Sequence, residues 1–242
     1  MNEMLFYDLK QSTGMPHSLA TQIARELGRR IVAKSYVAGD LIEDEGTLAS
    51  KYSVSRSVVR DAVKILVGKG LLEVRRGIGT RVRARRSWGL LDDDVLAWHQ
   101  SSSVSPEFLQ QLYEVRVIIE PKAAAWAATR GSDEDLNGIM AAQVQMETVQ
   151  GAIEDFVIAD AVFHRCVLRA SKNEVLCSME GVIFSALLNS IRVTNLDPDY
   201  NKVALPFHRD VAEAIVARDA SAAEKAMNVL LSDTQDRLDV MR

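Results

Sequence analysis

Apolar residues first fall into register at residues 18–35 (SLATQIARELGRRIVAKS). Leu19, Ile23, Leu27 and Ile31 recur every fourth position, with Arg25, Arg29 and Arg30 on the other side, which predicts an amphipathic helix. A turn at Val37-Ala38-Gly39-Asp40 leads to a short helix around Glu45–Tyr52, with Leu48 and Ala49 inward. Ser53-Val54-Ser55 interrupts the pattern, and Ser55 is placed to cap a second helix over 55–69. Val59, Ala62, Val63 and Leu66 form its apolar stripe, while Arg56, Ser57, Arg60 and Lys64 lie opposite. Two helices joined by a tight turn, the second showing arginines four residues apart, make a helix-turn-helix pattern.

After Gly70 the period changes from 3.6 to 2. Leu72, Val74, Thr80 and Val82 alternate with Glu73, Arg75, Arg81 and Arg83 around Gly77-Ile78-Gly79, which predicts a β-hairpin with a basic tip, a wing. A stretch containing Trp88, Trp98 and a serine run then reads as a linker. From Pro106 onward every segment reads helical, near 106–130, 132–150, 152–171, 174–195, 199–218 and 220–241, with Ser132 and Asp135 spaced as a capping box. The expected fold is mainly α: a winged helix-turn-helix over 1–86, a linker over 87–104, and an all-helical antiparallel bundle over 105–242.

Composition narrows the class. Of the 242 residues, 48% are hydrophobic and 26% charged, which fits a globular chain and argues against disorder. No apolar stretch approaches the roughly 20 residues that span a bilayer, and Met1 to Lys10 lacks the pattern of a secretory signal. A cytoplasmic protein with no membrane partner is expected. Cys166 and Cys177 both sit in apolar helical patterns and read as buried free thiols of a reducing compartment.

The net charge of −4 conceals two opposite halves. Residues 1–86 hold sixteen Lys/Arg against nine Asp/Glu, leaving 13 of the 29 basic and 24 of the 33 acidic residues to the remainder. A basic head on an acidic body suits a polyanion binder with a second task. Arg56 and Arg60 are placed where a recognition helix meets base edges, and an arginine can grip guanine O6 and N7 bidentately. Ser57 adds a hydroxyl for a base or phosphate. In the wing, Gly77 and Gly79 permit close backbone approach, and Arg75, Arg76 and Arg81 supply charge for phosphates or a minor groove. Operator DNA is therefore the expected partner.

Four histidines are present. His17 precedes the first helix and His99 lies in the linker, so solvated or capping roles are expected for both. Asp160 and His164 share one helix face, and His208 opens the apolar stripe Val211, Ala212, Ile215. Buried, these three polar groups each need a partner. One reading is a satisfied network in which Asp160 holds His164 and His208 bonds a backbone carbonyl. The other is a divalent-metal site with open positions for water or a bidentate ligand. Arg116 is a natural anchor for a carboxylate, or else the salt-bridge partner of Glu120 one turn on. Asn189 and Arg192 are further candidates for lining the cavity.

Particular runs carry a family resemblance. Leu48-Ala49, Val54-Ser55-Arg56-Ser57-Val58-Val59-Arg60-Asp61-Ala62, Leu66, Gly70-Leu71 and Arg76-Gly77-Ile78-Gly79-Thr80 resemble the winged helix-turn-helix of GntR-family regulators. Tyr113-Glu114-Val115-Arg116, Glu120-Pro121, Ala124, Asp160-Ala161-Val162-Phe163-His164, Phe207-His208-Arg209 and Ala214-Ile215 resemble the FCD effector domain of the FadR branch. The segment Trp88–Trp98 is similar to the one joining the two domains in sugar-acid repressors of that branch. The resemblance implies a homodimeric repressor, released from its operator by a small carboxylic acid such as a hexonate. It also implies that Asp160, His164 and His208 ligate a divalent metal, zinc being the first candidate, and that Arg116 faces the effector. Two departures stand out: the family's fourth ligand, a histidine in the last helix, falls at Leu230, and Gly46 stands where many members carry arginine.

A metalloenzyme is the competing class. A zinc hydrolase wants a general base beside the metal, as in H-E-x-x-H, and that motif is absent. A purely architectural DNA binder would have little use for buried polar residues in a helical domain of that size.

Overall fold

A computed structural model of the chain describes residues 2–10, 18–100, 106–149, 153–194 and 199–240. His17 lies outside them. The chain divides into two compact units, Met1–Ser103 and Val104–Arg242.

The first unit contains α1 (Asn2–Lys10), α2 (Leu19–Val32), α3 (Glu45–Tyr52), α4 (Arg56–Gly68), β1 (Leu72–Arg75), β2 (Gly79–Val82), a 3-10 turn at Arg85–Ser87 and α5 (Asp93–His99). Ser18 starts α2 through a capping box, its Oγ accepting from Thr21 N while Thr21 Oγ1 accepts from Ser18 N. The buried face of α2 runs through Ile23, Leu27 and Ile31, whereas Leu19, which completes the sequence period, is exposed. Asp44 caps α3 by accepting from Gly46 N and Thr47 N. Ser53 ends that helix in the left-handed region, at φ 54°, and Ser55 begins α4 two residues later. Val59, Ala62, Val63 and Leu66 bury themselves as their spacing predicts.

The hairpin pairs Leu72 with Val82 and Arg75 with Gly79, leaving Arg76-Gly77-Ile78 as the turn. Gly77 and Gly79 take φ of 78° and 121°, values that favour glycine. Leu72 and Val82 close onto the core, but Val74, two residues nearer the turn on the same strand face, is exposed. Backbone bonds from Ile42 N to Thr80 O and from Val82 N to Asp40 O tie the segment before α3 to β2.

Two helices of this unit have no counterpart in the periodic reading. Helix α5 arises within the tryptophan-containing segment, capped by Asp92, and buries Val95, Leu96 and Trp98. It carries His99 with it, and His99 is buried rather than solvated. Helix α1 packs on α5. Phe6 and Tyr7 are its buried residues, and Tyr7 Oη donates to Asp94 Oδ1 at 2.6 Å. Lys69, which caps the C-terminus of α4, reaches Asp92 Oδ1 at 2.7 Å and Asp94 Oδ2 at 2.6 Å.

The second unit is a bundle of α6 (Pro106–Arg130), α7 (Asp133–Thr148), α8 (Ile153–Ala170), α9 (Glu174–Ser178), α10 (Glu180–Thr194), α11 (Asp199–Val216) and α12 (Ala220–Val240). Segment 174–195, expected as one helix, breaks at Met179. The Ser132–Asp135 capping box forms at the start of α7. Helix α6 lies against α8, α10 and α12, and α11 lies against α7 and α12. Ala124, Ala128, Ile139, Phe163, Val211, Ile215, Met227 and Leu230 contribute to one apolar core. Cys166 and Cys177 are free thiols, half-buried rather than sealed.

Candidate functional site

Chemistry gathers at two places, one in each unit. In the first unit, Arg56, Ser57 and Arg60 stand exposed on the opening turns of α4. Arg60 makes a two-point bridge to Glu45 on α3, Nε to Oε1 at 3.0 Å and Nη2 to Oε2 at 2.7 Å. That hydrogen bond lowers the Glu45 pKa. Ser57 Oγ lies 2.8 Å from Ser55 Oγ. In the wing, Arg75 Nε pairs with Glu73 Oε1 at 2.8 Å, and the exposed Arg76 leads into Gly77. The sequence reading passed over Glu45, whose role depends on a contact across the helix-turn-helix rather than on a motif.

In the second unit, α6, α8 and α11 bring Arg116, Glu120, Asp160, His164 and His208 together. His208 Nδ1 sits 2.8 Å from the carbonyl of Ala204, so that nitrogen carries the proton and donates. Its Nε2 then faces Asp160 Oδ1 at 3.0 Å. His164 Nδ1 forms an ion pair with Glu120 Oε2, and Nε2 faces Asp160 Oδ1 at 3.2 Å and Arg116 Nη2 at 3.2 Å. Phe163 presents its ring edge-on to both imidazoles, at centroid separations of 5.6 and 5.2 Å. Apart from Asp160, whose side chain is 14% exposed, the cluster is sealed.

Burial opposes the charges of Arg116, Glu120, Asp160 and His164, and their neighbours overcome it. Burial would raise the Glu120 pKa, but Arg116 and His164 hold it down to about 2. Asp160 is likewise pushed well below the ordinary carboxylate range by the two histidines, against its burial. Burial would lower the His164 pKa, yet Glu120 beside it raises it to about 9. With His164 protonated, the charges of Arg116 and His164 balance those of Glu120 and Asp160, and a metal on Asp160, His164 Nε2 and His208 Nε2 would take the place of the His164 proton.

The donor set fits a divalent metal. One ligand atom from each of Asp160, His164 and His208 lies within 4.8 Å of the others. Ligands about 2.0–2.1 Å from a first-row ion stand roughly 3 Å apart, close to the 3.0 and 3.2 Å that Asp160 Oδ1 keeps from the two imidazoles. Each histidine is also oriented through its other nitrogen, by Glu120 or by the Ala204 carbonyl, as ligating histidines commonly are. The hydrogen bonds of the core-network reading are thus present, and the same bonds aim the imidazoles for a metal. Leu230 is a buried core residue and offers no ligand atom.

Arg116 is buried and salt-bridged to Glu120, Nε to Oε1 at 2.5 Å, with its Nη2 at His164. Burial opposes its charge, and Glu120 followed by Asp160 raises its pKa. Asn189 is buried on α10; its Nδ2 donates to the Ser185 carbonyl at 2.8 Å, and its Oδ1 has no hydrogen-bond partner among the described residues. Arg192 belongs to α10, and its side chain lies outside the described ones. Glu120 was legible only as the partner of Arg116. Its second contact spans 44 residues, from α6 to α8.

Comparison with known proteins matches residues 19–82 to the bacterial regulatory proteins of the gntR family and residues 111–233 to the FCD domain. The chain is 32% identical over 218 residues to the galactonate operon transcriptional repressor of Escherichia coli, covering 90% of this chain and 95% of that protein. It is 30% identical to a putative L-lactate dehydrogenase operon regulatory protein of Escherichia coli, over 90% of this chain and 85% of that one. The Exu regulon transcriptional regulator of the same species is 27% identical over 91% and 84%. Among solved structures, Lar, from work on the Listeria monocytogenes agr system, is similar with a TM-score of 0.63 at 19% identity, covering 94% of this chain and 98% of that one. A GntR protein of Streptococcus agalactiae gives 0.51 at 24% identity, covering 90% and 99%.

Proposed function

The chain belongs to the GntR family of bacterial transcription regulators and carries an FCD domain, and from that premise we propose a repressor released from its operator by a small carboxylic acid. A sugar acid of the hexonate class is the first candidate, because relatives are named for galactonate and for the Exu regulon. The observation that carries this reading is the buried cluster of Asp160, His164 and His208 with Arg116 Nη2 3.2 Å from His164 Nε2. It combines a set of metal ligands with the cation best suited to a carboxylate.

A divalent ion held by Asp160, His164 and His208, zinc for preference, supplies charge and exchangeable coordination positions for an acid. Glu120 and the Ala204 carbonyl orient the His164 and His208 rings so that both Nε2 atoms face Asp160, where a bound ion would displace the His164 proton. Arg116 brings a guanidinium to the same point, and Asn189 offers an amide oxygen that meets no donor among the described residues. Arg56, Ser57 and Arg60 read the major groove, while Arg75, Arg76, Gly77 and Gly79 bring the wing to the backbone. Two copies of the chain, in the cytoplasm, would place two recognition helices on the half-sites of a palindrome.

Thermal-shift measurements against hexonates, hexuronates and simpler carboxylates, with and without chelator, test the pocket. A metal-dependent rise in melting temperature for one acid, with release of operator DNA by that acid in a gel shift, is expected. Equal responses with chelator present would remove the metal from the proposal. Operator binding indifferent to every acid that binds would remove the repressor mechanism.

A further inference from the structure

The first turn of α3 lies directly under the first turns of α4. Glu45 grips Arg60 with both carboxylate oxygens, using Nε and Nη2. An arginine has five N–H donors, so the outer edge of that guanidinium remains free to meet a base. Next to Glu45 stands Gly46, whose φ lies outside the left-handed region, so the backbone does not require glycine there. In a helix, alanine would be the more stabilising residue. What the glycine does leave is room beside the Arg56 guanidinium, which a side chain would make shift by a few tenths of an ångström. A Cβ on Gly46 would lie 3.1 Å from Arg56 Nη2, 3.6 Å from Arg56 Cζ and 3.1 Å from Asp44 Oδ1. The Arg56 guanidinium and the capping carboxylate of Asp44 both border the space that a side chain on Gly46 would take.

Glu45 and Asp44 place negative charge close to a face that must meet phosphates, which weakens binding to any DNA sequence. Asp44 is accounted for as the cap of α3, whereas the partner of Glu45 is Arg60.

We propose that Gly46 is a specificity-determining residue and Glu45 a positioning residue for operator reading. The Gly46 notch seats the Arg56 guanidinium, and the Glu45 carboxylate locks the Arg60 guanidinium. Together they present two oriented arginines, one helical turn apart, to guanine-bearing base pairs. The inference rests on the reading that α4 enters the major groove. Ordinarily an exposed arginine samples many rotamers and loses that freedom on binding. Here the open space over Gly46 and the two-point bridge from Glu45 bias the two side chains toward one orientation beforehand, so a mismatched base gains less from them.

The test uses the full-length protein with Gly46→Ala, Glu45→Gln and Arg56→Ala, a selection from randomised duplexes, and competition between operator and scrambled duplex at fixed salt. Glu45→Gln is expected to bind scrambled DNA more tightly, having lost a negative charge, while its discrimination falls about tenfold. Gly46→Ala should relax the guanine preference at one operator position by about tenfold and leave the other positions intact. Its melting temperature should be unchanged or higher, which separates the effect from damage to the fold. Both variants keeping the wild-type base preferences, with Arg56→Ala losing them, would overturn the inference and leave groove reading standing. An Arg56→Ala protein with unaltered preferences would overturn both.

Discussion

Gly28 and Trp98 meet so closely that a Cβ on the glycine would come within 2.4 Å of the indole ring. Gly28 sits in the buried face of α2, and Trp98, at 0% exposure, is the largest fully buried side chain of the chain's described part. A tryptophan in the segment after the wing is therefore part of the core beneath the helix-turn-helix.

Gly28→Ala should destabilise the protein by about 1–3 kcal/mol through overpacking, although alanine is the better helix former by roughly 1 kcal/mol. Urea titration measures the difference. A variant as stable as the parent would show that the indole has room to move.

Dialysis against chelator should lower the melting temperature, and zinc should restore it. Saturation at a hundredfold excess over Kd contributes about 2.7 kcal/mol. Asp160→Asn and His208→Ala should not respond to zinc. A zinc response that survives in both variants would place the ion elsewhere.

Glu120→Gln should weaken zinc binding by roughly 10- to 100-fold, the usual effect of losing an outer carboxylate on a ligating histidine. The amide keeps the size of the side chain but withdraws the charge that faces His164 Nδ1. Calorimetric titration with zinc provides the readout, with far-ultraviolet circular dichroism to verify the fold. Unchanged affinity would reduce Glu120 to the counter-ion of Arg116.

His99 should make the first unit acid-sensitive. Burial, reinforced by the Arg85 charge, lowers its pKa from 6.5 to about 3. The unfolded chain then binds a proton that the folded chain refuses, so stability is full above about pH 6.5 and declines as pH falls toward 3. Replacement by glutamine should flatten that slope. Denaturant midpoints at pH 7 and pH 5, compared between parent and His99→Gln, decide it.

Local chemistry made much of this architecture legible. Ser18, Ser55 and Ser132 mark helix starts by their own hydroxyls, and the stripe Val59, Ala62, Val63, Leu66 records a face that one helix buries by itself. Helix α1 left no such record, because its two buried aromatics, Phe6 and Tyr7, are neighbours rather than a stripe. They gain their burial together with α5. The break at Met179 was hidden by the apolar residues around it. In the buried cluster, Asp160 and His164 were readable at i, i+4, and His208 by its stripe. The Glu120–His164 and His208–Ala204 contacts that orient the imidazoles depend on helix packing and rotamer, which spacing does not encode.

The grip of Lys69 on Asp92 and Asp94 also bears on how such regulators are assembled from parts. When recombination moves a DNA-reading module onto a different sensor, the piece that travels intact must include α5. A cut made just after the wing would strip Trp98 from above Gly28 and leave the lysine at the C-terminus of α4 without its counter-charges. The transferable part of this chain therefore carries a built-in plug at its C-terminal side, and a chimera that keeps the plug should inherit a complete core.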